Sequence, residues 1–206
     1  PDDYRGSFGR DDPERAQKFA DLVDPAIASL NAKGQGVAGF IAETFPSVGG
    51  QIIPPSGYLV AVYEKIRAVG GVCIADEVRT GLGRLGTHYF GFEHQDVLPD
   101  IVVLGKPIGN GHPLGVVITS RAIADNFDNG IEFFSTFGGS TLSCRLGREV
   151  LEIVDEEGLQ ENARVIGQQL LDGLRALQRR FACIGDVRGM GLFIGVELIN
   201  PDGSEA

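Results

Sequence analysis

Two side chains with catalytic potential stand at the C-terminal ends of apolar runs. Asp76 closes the run Val72-Cys73-Ile74-Ala75, and Lys106 follows the run Ile101-Val102-Val103-Leu104-Gly105. Nearly continuous apolar runs of this length are typical of buried strands in a parallel sheet. Since ligands bind at the carboxyl ends of parallel strands, the pattern predicts that Asp76 and Lys106 lie at one edge of the sheet and face one cleft.

This pair of residues suits the chemistry of pyridoxal phosphate. A lysine amine forms a Schiff base with an aldehyde cofactor, and a carboxylate keeps a pyridine nitrogen protonated, so that the ring withdraws electrons from a substrate carbon. The spacing of Asp76 and Lys106 is close to that of one strand–connection–strand unit. On spacing alone an ordinary alternative stays open, in which Lys106 is a solvated strand-end lysine and Asp76 is an acid in a turn.

Four segments carry a more specific signal because they occur together and in a fixed order. They are 74–84 (IADEVRTGLGR), 105–115 (GKPIGNGHPLG), 135–139 (STFGG) and 185–192 (GDVRGMGL). They resemble, respectively, the cofactor strand, the Schiff-base lysine segment, the phosphate-contacting turn and the start of the C-terminal domain of class III pyridoxal-phosphate aminotransferases.

The resemblance extends to the branch, the fold and the domains. Residues 109–113 (GNGHP) and 49–55 (GGQIIPP) are most similar to the branch that contains ethanolamine-phosphate phospho-lyases and alanine–glyoxylate-type aminotransferases. The implied fold class is α/β: part of a fold-type-I transferase large domain, with a mainly parallel sheet and flanking helices, plus the start of a small α+β C-terminal domain. The implied segments are 1–140 of the large domain, linking helices in 141–180, and the small domain from 181 to 206. Family members are considerably longer, so we expect a partial, C-terminal-side chain.

The resemblance implies roles for four residues of the cofactor site. Lys106 carries pyridoxal 5′-phosphate as an internal aldimine, and Asp76 contacts the pyridine nitrogen. Val78 packs on one face of the ring. Arg79 stands where many relatives have a glutamine that reaches the ring hydroxyl, so we expect the arginine to meet the ring oxygen or a substrate anion instead.

Two further residues are implied at the periphery of the site. Thr136 contacts the phosphate of the cofactor in the other subunit, which implies a homodimer with shared active sites. Ser140-Thr141 replace the Asn-Pro that usually follows in relatives, so the geometry of this turn is expected to differ. Glu43 ends the apolar run 37–42, and the resemblance places it on the substrate side of the cofactor; a solvated strand-end acid is the alternative.

The implied activity is that of a pyridoxal-phosphate-dependent aminotransferase, which moves an amino group between an amino acid or small amine and a keto acid. Two alternatives stay open. One is a phospho-lyase that acts on a phosphorylated amino alcohol with the same cofactor. The other is a chain that is catalytically incompetent on its own because it lacks the N-terminal half of the family fold.

Composition and charge limit the partners. The 206 residues are 43% hydrophobic and 22% charged, with a net charge of −10 and a pI near 4.7. An acidic chain of this kind is not expected to bind nucleic acid or anionic membranes. The three cysteines have no metal-ligand spacing and indicate a reducing compartment, which we interpret as the cytoplasm. No apolar run approaches the roughly 18 residues of a membrane span.

Hydrophobic periodicity and punctuation by glycine and proline predict the remaining elements. The predicted helices are one that begins near Asp12, then 58–69, 121–127, 141–156 and 159–180; the predicted strands are 37–43, 72–77, 101–106, 114–119 and a pair within 184–200 with a bend at 188–191. Because a proline restricts the residue before it, Pro107 is expected to hold Lys106 in an extended conformation.

Overall fold

The computed structural model describes residues 1–204; the last two residues of the predicted small-domain segment 181–206 lie outside the described residues. The helices are α1 Arg15–Asp21, α2 Asp24–Ala32, α3 Tyr58–Ala68, α4 Gly91–His94, α5 Arg121–Phe127, α6 Thr141–Glu156 and α7 Leu159–Gln178. The strands are β1 Gly39–Glu43, β2 Val72–Asp76, β3 Ile101–Leu104, β4 Val116–Thr119, β5 Ile184–Met190 and β6 Phe193–Leu198. A 3₁₀ turn spans Lys106–Gly109.

The larger sheet has the strand order β1-β2-β3-β4. Strands β1, β2 and β3 run parallel, and β4 pairs with β3 in the antiparallel direction. Glu43 is the register partner of Asp76, and Asp76 is the partner of Val103. The prediction of a mainly parallel sheet is therefore confirmed, and the ends of β1, β2 and β3 come to the same edge.

Helix α3 covers one face of this sheet. Its apolar side chains recur at helical spacing, so Leu59, Val62 and Ile66 form a buried stripe that packs against Cys73 of β2. On the opposite face of the sheet, Ile41 of β1 is 65% exposed and Val117 of β4 is 68% exposed.

The second sheet is an antiparallel hairpin of β5 and β6 that packs on α7. Gly167 of α7 lies against the backbone of Gly191, where the hairpin turns; a Cβ atom on Gly167 would overlap the Gly191 carbonyl group. The bend predicted at 188–191 is displaced toward its end, because β5 continues to Met190 and the left-handed backbone of Gly191 (φ 55°) makes the turn.

A buried carboxylate ties the N-terminal segment to this hairpin. Asp186 is 3% exposed and accepts two hydrogen bonds of 2.7 Å from Arg10 and one of 2.8 Å from Arg188. Arg188 also donates to Glu197 at 3.1 Å and to the carbonyl oxygen of Gly50 at 2.9 Å. Burial alone would raise the pKa of Asp186, but the hydrogen bonds from the two arginines outweigh it and the pKa is lowered.

We predict that Asp186→Asn destabilises the protein by about 1–3 kcal/mol at neutral pH, because it removes the negative charge that two arginines share. The partial solvation of Arg10 limits the loss. A lowered pKa means that the ionised carboxylate contributes stability above 3.8, the pKa of the unfolded group, and that this contribution is lost as the pH falls further. The difference between wild type and variant should therefore shrink in acid. Urea unfolding at several pH values measures it.

Asp172→Asn is the matched control, since Asp172 is 64% exposed and lies 3.9 Å from Arg175. We expect it to change the unfolding free energy by no more than about 0.5 kcal/mol. Equal losses in the two variants would contradict the assignment of the stabilising charge to Asp186.

Candidate active site

The candidate site lies at the carboxyl edge of the parallel strands. The amide of Glu77, one residue past the end of β2, donates a 3.0 Å hydrogen bond to the carbonyl oxygen of Val103, so the ends of β2 and β3 are held side by side. Asp76 is the last residue of β2, and Lys106 stands two residues beyond β3. The topology therefore brings both residues to one edge.

Lys106 occupies a backbone conformation that lysine rarely adopts. Its φ of 43° lies in the left-handed region, whereas Gly105 before it is extended. The expectation of an extended Lys106 is wrong, and the reason is tertiary. Ile108 is 2% exposed and packs with the β3 side chains Val102 and Leu104, so the chain must reverse within one residue of the strand. Such a conformation costs on the order of 1–3 kcal/mol and is typical of functional sites.

Lys106 lines a cavity of about 450 Å³. The other lining residues are Gln51, Val78, Arg79, Arg84, Pro107, Leu192, Phe193 and Ile194. Three of these residues, counting Lys106, are cationic and none is acidic. Within residues 1–204, no hydrogen bond or ion pair occupies the side chains of Lys106, Arg79 or Arg84. The cavity is thus an apolar and cationic pocket around a lysine amine.

Val78 forms part of the cavity wall beside Lys106. Its side chain sits over Gly105, where an added Cβ atom would lie 3.3 Å from the Val78 Cγ2 atom. Asp76 does not line the cavity, but its Oδ1 atom accepts a 2.9 Å hydrogen bond from the amide of Val78. The strand-end carboxylate therefore fixes the backbone that carries Val78 and Arg79 into the pocket.

Glu77 is the buried counterpart of Asp76. It is 1% exposed, and each of its oxygens accepts one hydroxyl and one amide hydrogen bond. The Oε1 atom receives Thr44 at 2.6 Å and the amide of Phe92 at 2.9 Å; the Oε2 atom receives Thr80 at 2.6 Å and the amide of Gly91 at 2.8 Å. Burial raises the pKa of Glu77 above its ordinary value, and these four donors oppose that rise.

Glu43 reaches the same edge, at the end of β1, but does not line the cavity. Its carboxylate accepts a 2.8 Å hydrogen bond from the amide of Ser47 and another from the Ser47 hydroxyl. It therefore holds the turn that begins the loop to Gln51. The other end of this loop is held by Arg188 on the Gly50 carbonyl oxygen.

Thr136 is exposed and does not line the Lys106 cavity. The residues that follow it, from Phe137 to Ser140, line a separate cavity of about 690 Å³ between β4 and α6. Within one chain, Thr136 and Lys106 are not brought together. A role at the partner subunit's cofactor stays a prediction.

Sequence reasoning missed Glu77, Arg84 and Gln51 as parts of the site. Glu77 and Thr80 were visible as polar residues directly after an apolar strand, and Arg84 as a cation within a glycine-rich turn. Gln51 carried a weaker signal: it follows two glycines, and the structure gives it a left-handed backbone with φ 52°. Within residues 1–204, no group of three or more His, Cys, Asp and Glu side chains is arranged to hold a metal ion.

Comparison with known proteins identifies the family. A family model described as "Aminotransferase class-III" matches residues 8–206. The chain is 49% identical over 203 residues to an alanine–glyoxylate aminotransferase 2-like protein of Drosophila melanogaster, covering 97% of the chain and 41% of that protein. It is 41% identical to the mitochondrial alanine–glyoxylate aminotransferase 2 of Homo sapiens, covering 97% of the chain and 42% of that protein. The chain belongs to the class-III aminotransferases, a family of enzymes that use pyridoxal phosphate.

Solved structures agree with this assignment. A phospholyase from Arthrobacter in complex with phosphoethanolamine superposes with a TM-score of 0.93 at 38% identity, covering 100% of this chain and 49% of that one. An amine transaminase from an uncultivated Pseudomonas species, in a form with pyridoxal phosphate bound, superposes with a TM-score of 0.88 at 36% identity, covering 97% and 46%. The predicted family and fold are therefore confirmed. The chain spans about two fifths of the length of these curated relatives, as expected for a family of longer proteins.

The residues at the site fit the family's cofactor. Because Gly105 has no side chain, Val78 can pack directly beside the backbone that carries Lys106. Val78 thus gives the cavity an apolar wall on which an aromatic ring can stack. The Lys106 amine has no competing carboxylate among the lining residues, and Asp76 supplies an acid at the same edge. A lysine, an aliphatic wall and a strand-end carboxylate suit the aldehyde and the pyridine ring of pyridoxal phosphate.

We predict that Glu77→Gln destabilises the protein by about 2–4 kcal/mol. Because all four groups around this carboxylate donate, the amide nitrogen of glutamine would face a backbone N–H and leave it unsatisfied. Denaturant unfolding measures the loss. Glu93→Gln is the control, since Glu93 is exposed and accepts the amides of Tyr89 and Phe90 through one oxygen only, which an amide oxygen can replace. A loss in the Glu77 variant no larger than in the control would contradict the stabilising role of the four hydrogen bonds to Glu77.

Proposed function

We propose that the complete protein is a pyridoxal-phosphate-dependent aminotransferase that acts on an amino acid or small amine with a keto acid acceptor. The observation that carries this proposal is the placement of Lys106: a lysine held in a left-handed backbone at the carboxyl edge of parallel strands, in a cavity without acidic lining residues. When bound, the cofactor supplies the electron sink that stabilises negative charge at the substrate carbon.

The residues of this chain have distinct tasks in the proposed reaction. The Nζ atom of Lys106 binds the cofactor and then carries the proton to and from the reacting carbon. The carboxylate of Asp76 keeps a proton on the ring nitrogen. Val78 packs on one ring face, and Arg79 meets the ring oxygen or an anionic group of the substrate. Glu43 lies on the substrate side of the cofactor, where it holds the loop that begins at Ser47.

A second candidate function is a phospho-lyase that acts on a phosphorylated amino alcohol. Two observations favour it: the superposition on a phospholyase in complex with phosphoethanolamine, and the two unpaired arginines in the cavity. Product analysis separates the candidates. An aminotransferase converts a keto acid to an amino acid in the presence of an amino donor, whereas a phospho-lyase releases inorganic phosphate from phosphoethanolamine without an acceptor.

The third alternative concerns residues 1–206 on their own. A chain that is incompetent without the remainder of the family fold should retain no yellow species after it is mixed with pyridoxal phosphate and desalted, and borohydride should then fix no cofactor on Lys106. The same mixture with the complete protein should give that species. The absorbance spectrum therefore distinguishes the activity of the complete protein from that of this chain.

We predict that Lys106→Ala abolishes turnover in the complete protein, while Asp76→Asn lowers it by about a thousandfold. Alanine can neither bind the cofactor covalently nor carry the proton, whereas asparagine still contacts the ring nitrogen but cannot keep it protonated. A thousandfold loss corresponds to about 4 kcal/mol in the activation barrier. Steady-state rates of both variants measure the effect, and borohydride fixation followed by peptide mass mapping locates the cofactor.

Lys33→Ala is the matched control because Lys33 is an exposed lysine at the end of α2. It should retain the wild-type rate and the wild-type labelling of Lys106. Cofactor fixed on Lys18, Lys33 or Lys65, or a Lys106→Ala variant with a near-normal rate, would refute the assignment.

We also propose that the complete protein is a homodimer with shared active sites, in which Thr136 serves the phosphate of the partner subunit's cofactor. The position of Thr136 supports this arrangement, since it is exposed and does not line the Lys106 cavity of its own chain. The exposed aromatic side chains around it, Phe133, Phe134 and Phe137, are 74%, 78% and 85% exposed.

Mixed dimers test this arrangement. In a dimer of one Lys106→Ala subunit and one Thr136→Ala subunit, shared sites place both changes in one active site and leave the other site intact. Random re-association should then restore about a quarter of the wild-type rate, since half the dimers are mixed and each has one normal site. Light scattering confirms the dimer. If Thr136 serves its own subunit, mixing restores nothing above the parent variants.

The compartment remains a proposal. Cys73 is buried, with its pKa raised to about 11 by burial, and the two exposed cysteines, Cys144 and Cys183, are free thiols. This pattern supports a reducing compartment, which we propose to be the cytoplasm. The human and Arabidopsis relatives carry "mitochondrial" in their names. No helix within residues 1–204 has the length and apolar character needed to cross a membrane.

A further inference from the structure

The turn that carries Lys106 is strained at more than one point. Five non-glycine residues within 1–204 have a left-handed backbone, and two of them, Lys106 and Asn110, lie in this turn, each with φ 43°. Gly111 follows with φ 98°. Strained conformations at non-glycine residues persist only where the surrounding structure holds them in place. The contacts of the turn therefore decide whether Lys106 keeps its geometry.

The two ends of this turn are held in different ways. Near its start, Ile108 is 2% exposed and packs against β3, so apolar burial fixes the chain there. Near its end, none of the residues 110–113 is buried to that degree. The side chain of Lys106 makes no hydrogen bond or ion pair within residues 1–204 and adds no support of its own. The end of the turn therefore needs an attachment other than apolar packing.

His112 provides that attachment. The Nε2 atom of His112 and the Oγ atom of Ser143 are hydrogen-bonded at 2.9 Å. Among the described residues, this is the one side-chain hydrogen bond that the segment 106–113 makes. The amide of His112 also donates a 2.8 Å hydrogen bond to the carbonyl oxygen of Gly109. One residue thus closes the turn with its backbone and ties it to α6 with its ring.

Helix α6 presents Ser143 on the face that meets the turn. Ser143 and Gly147 are four positions apart and therefore lie on one side of the helix. Gly147 is buried, and an added Cβ atom there would stand 2.7 Å from the Cδ2 atom of Leu114. The helix thus lies directly against the segment that follows the turn. The Ser140 side chain caps the helix and accepts the Ser143 amide at 3.5 Å, which places Ser143 at the ordered start of α6.

We propose that His112 is a positioning residue, which keeps Lys106 in its left-handed conformation through the hydrogen bond to Ser143. The proposal rests on the proposed function, because it concerns how the Lys106 amine is presented. His112 does not line the Lys106 cavity, so it acts through the turn. Without the bond to Ser143, the end of the turn can relax, and Lys106 can return to the extended backbone that a following Pro107 favours. Its amine then starts from several positions instead of one, which slows a proton transfer that depends on alignment.

The first measurement is hydrogen–deuterium exchange of the complete protein as isolated, followed by mass spectrometry of peptides that cover 105–115. The amides of Ile108 and Asn110 report on the turn, since they donate to the carbonyl oxygens of Gly105 at 3.2 Å and Pro107 at 3.0 Å. We expect these amides to exchange about threefold to tenfold faster in His112→Leu and in Ser143→Ala, because each variant removes one neutral hydrogen bond.

His88→Leu is the matched control. The His88 ring is hydrogen-bonded to the neighbouring Thr87 at 2.9 Å and does not line the Lys106 cavity. The control should leave exchange in 105–115 at the wild-type rate. Peptides that cover α3 should exchange as in the wild type in every variant, which shows that the fold is retained.

The second measurement is turnover of the complete protein, expressed per cofactor-loaded site. We expect kcat to fall about threefold to tenfold in His112→Leu and in Ser143→Ala, while KM stays within about twofold. A residue that only stabilised the fold would lower the loaded fraction and leave kcat per loaded site unchanged. The double variant should lose no more than either single variant, because both changes remove the same hydrogen bond. His112→Gln should keep at least about half of the wild-type kcat, since its terminal amide can still bond the Ser143 hydroxyl.

Unchanged exchange in 105–115 in both single variants would overturn the proposal. A wild-type kcat per loaded site in both would do the same, and so would a His112→Gln variant as slow as His112→Leu. Failure of the proposed function is a separate result. If borohydride fixes the cofactor on another lysine, the proposed function fails, and the exchange measurement alone decides whether His112 holds the turn. If Lys106 is labelled and neither exchange nor kcat changes, only the positioning role fails.

Discussion

The buried carboxylate of Glu77 is the interaction on which the geometry of the site depends. Its donors come from three parts of the chain: Thr44 directly after β1, Thr80 in the turn after β2, and the first two residues of α4. A charge in the protein interior is tolerated only when its hydrogen bonds are complete, so the four donors must stay in place together. The segment that presents Val78 and Arg79 is thereby enclosed between fixed points.

The second constraint is the close approach of backbones where the glycine-rich turn meets α7 and the β5–β6 hairpin. Gly86 lies so near the helix that a Cβ atom would stand 2.6 Å from the Cα atom of Arg164. Gly167 and Gly191 bring the helix and hairpin into backbone contact in the same region. These contacts join the sheet edge to the C-terminal hairpin, so the cavity wall is built from both and neither part can shift without the other.

The sequence was sufficient for those features that depend on local patterns. The apolar runs before Asp76 and Lys106 predicted two parallel strands with their ends at one edge, since a buried strand requires a run of consecutive apolar residues. The backbone of Lys106 was not predictable, because it is set by the burial of Ile108 against β3. The role of Glu77 depends on a hydrogen bond from Thr44, which is far away in the chain. The exposure of Ile41 depends on which elements pack on the sheet. Local hydrophobic periodicity predicts neither of these tertiary contacts.

The left-handed conformation of Lys106 has a consequence for attempts to stabilise this protein by sequence design. Glycine is the residue that this backbone geometry favours, and it stands at such positions elsewhere in the chain, as at Gly158. A procedure that scores each position by its conformational energy would therefore favour glycine at position 106, as at the other non-glycine residues with positive φ, Gln51, Leu82, Asp96 and Asn110. Under the catalytic role proposed for Lys106, position 106 is a place where selection for chemistry opposes selection for stability.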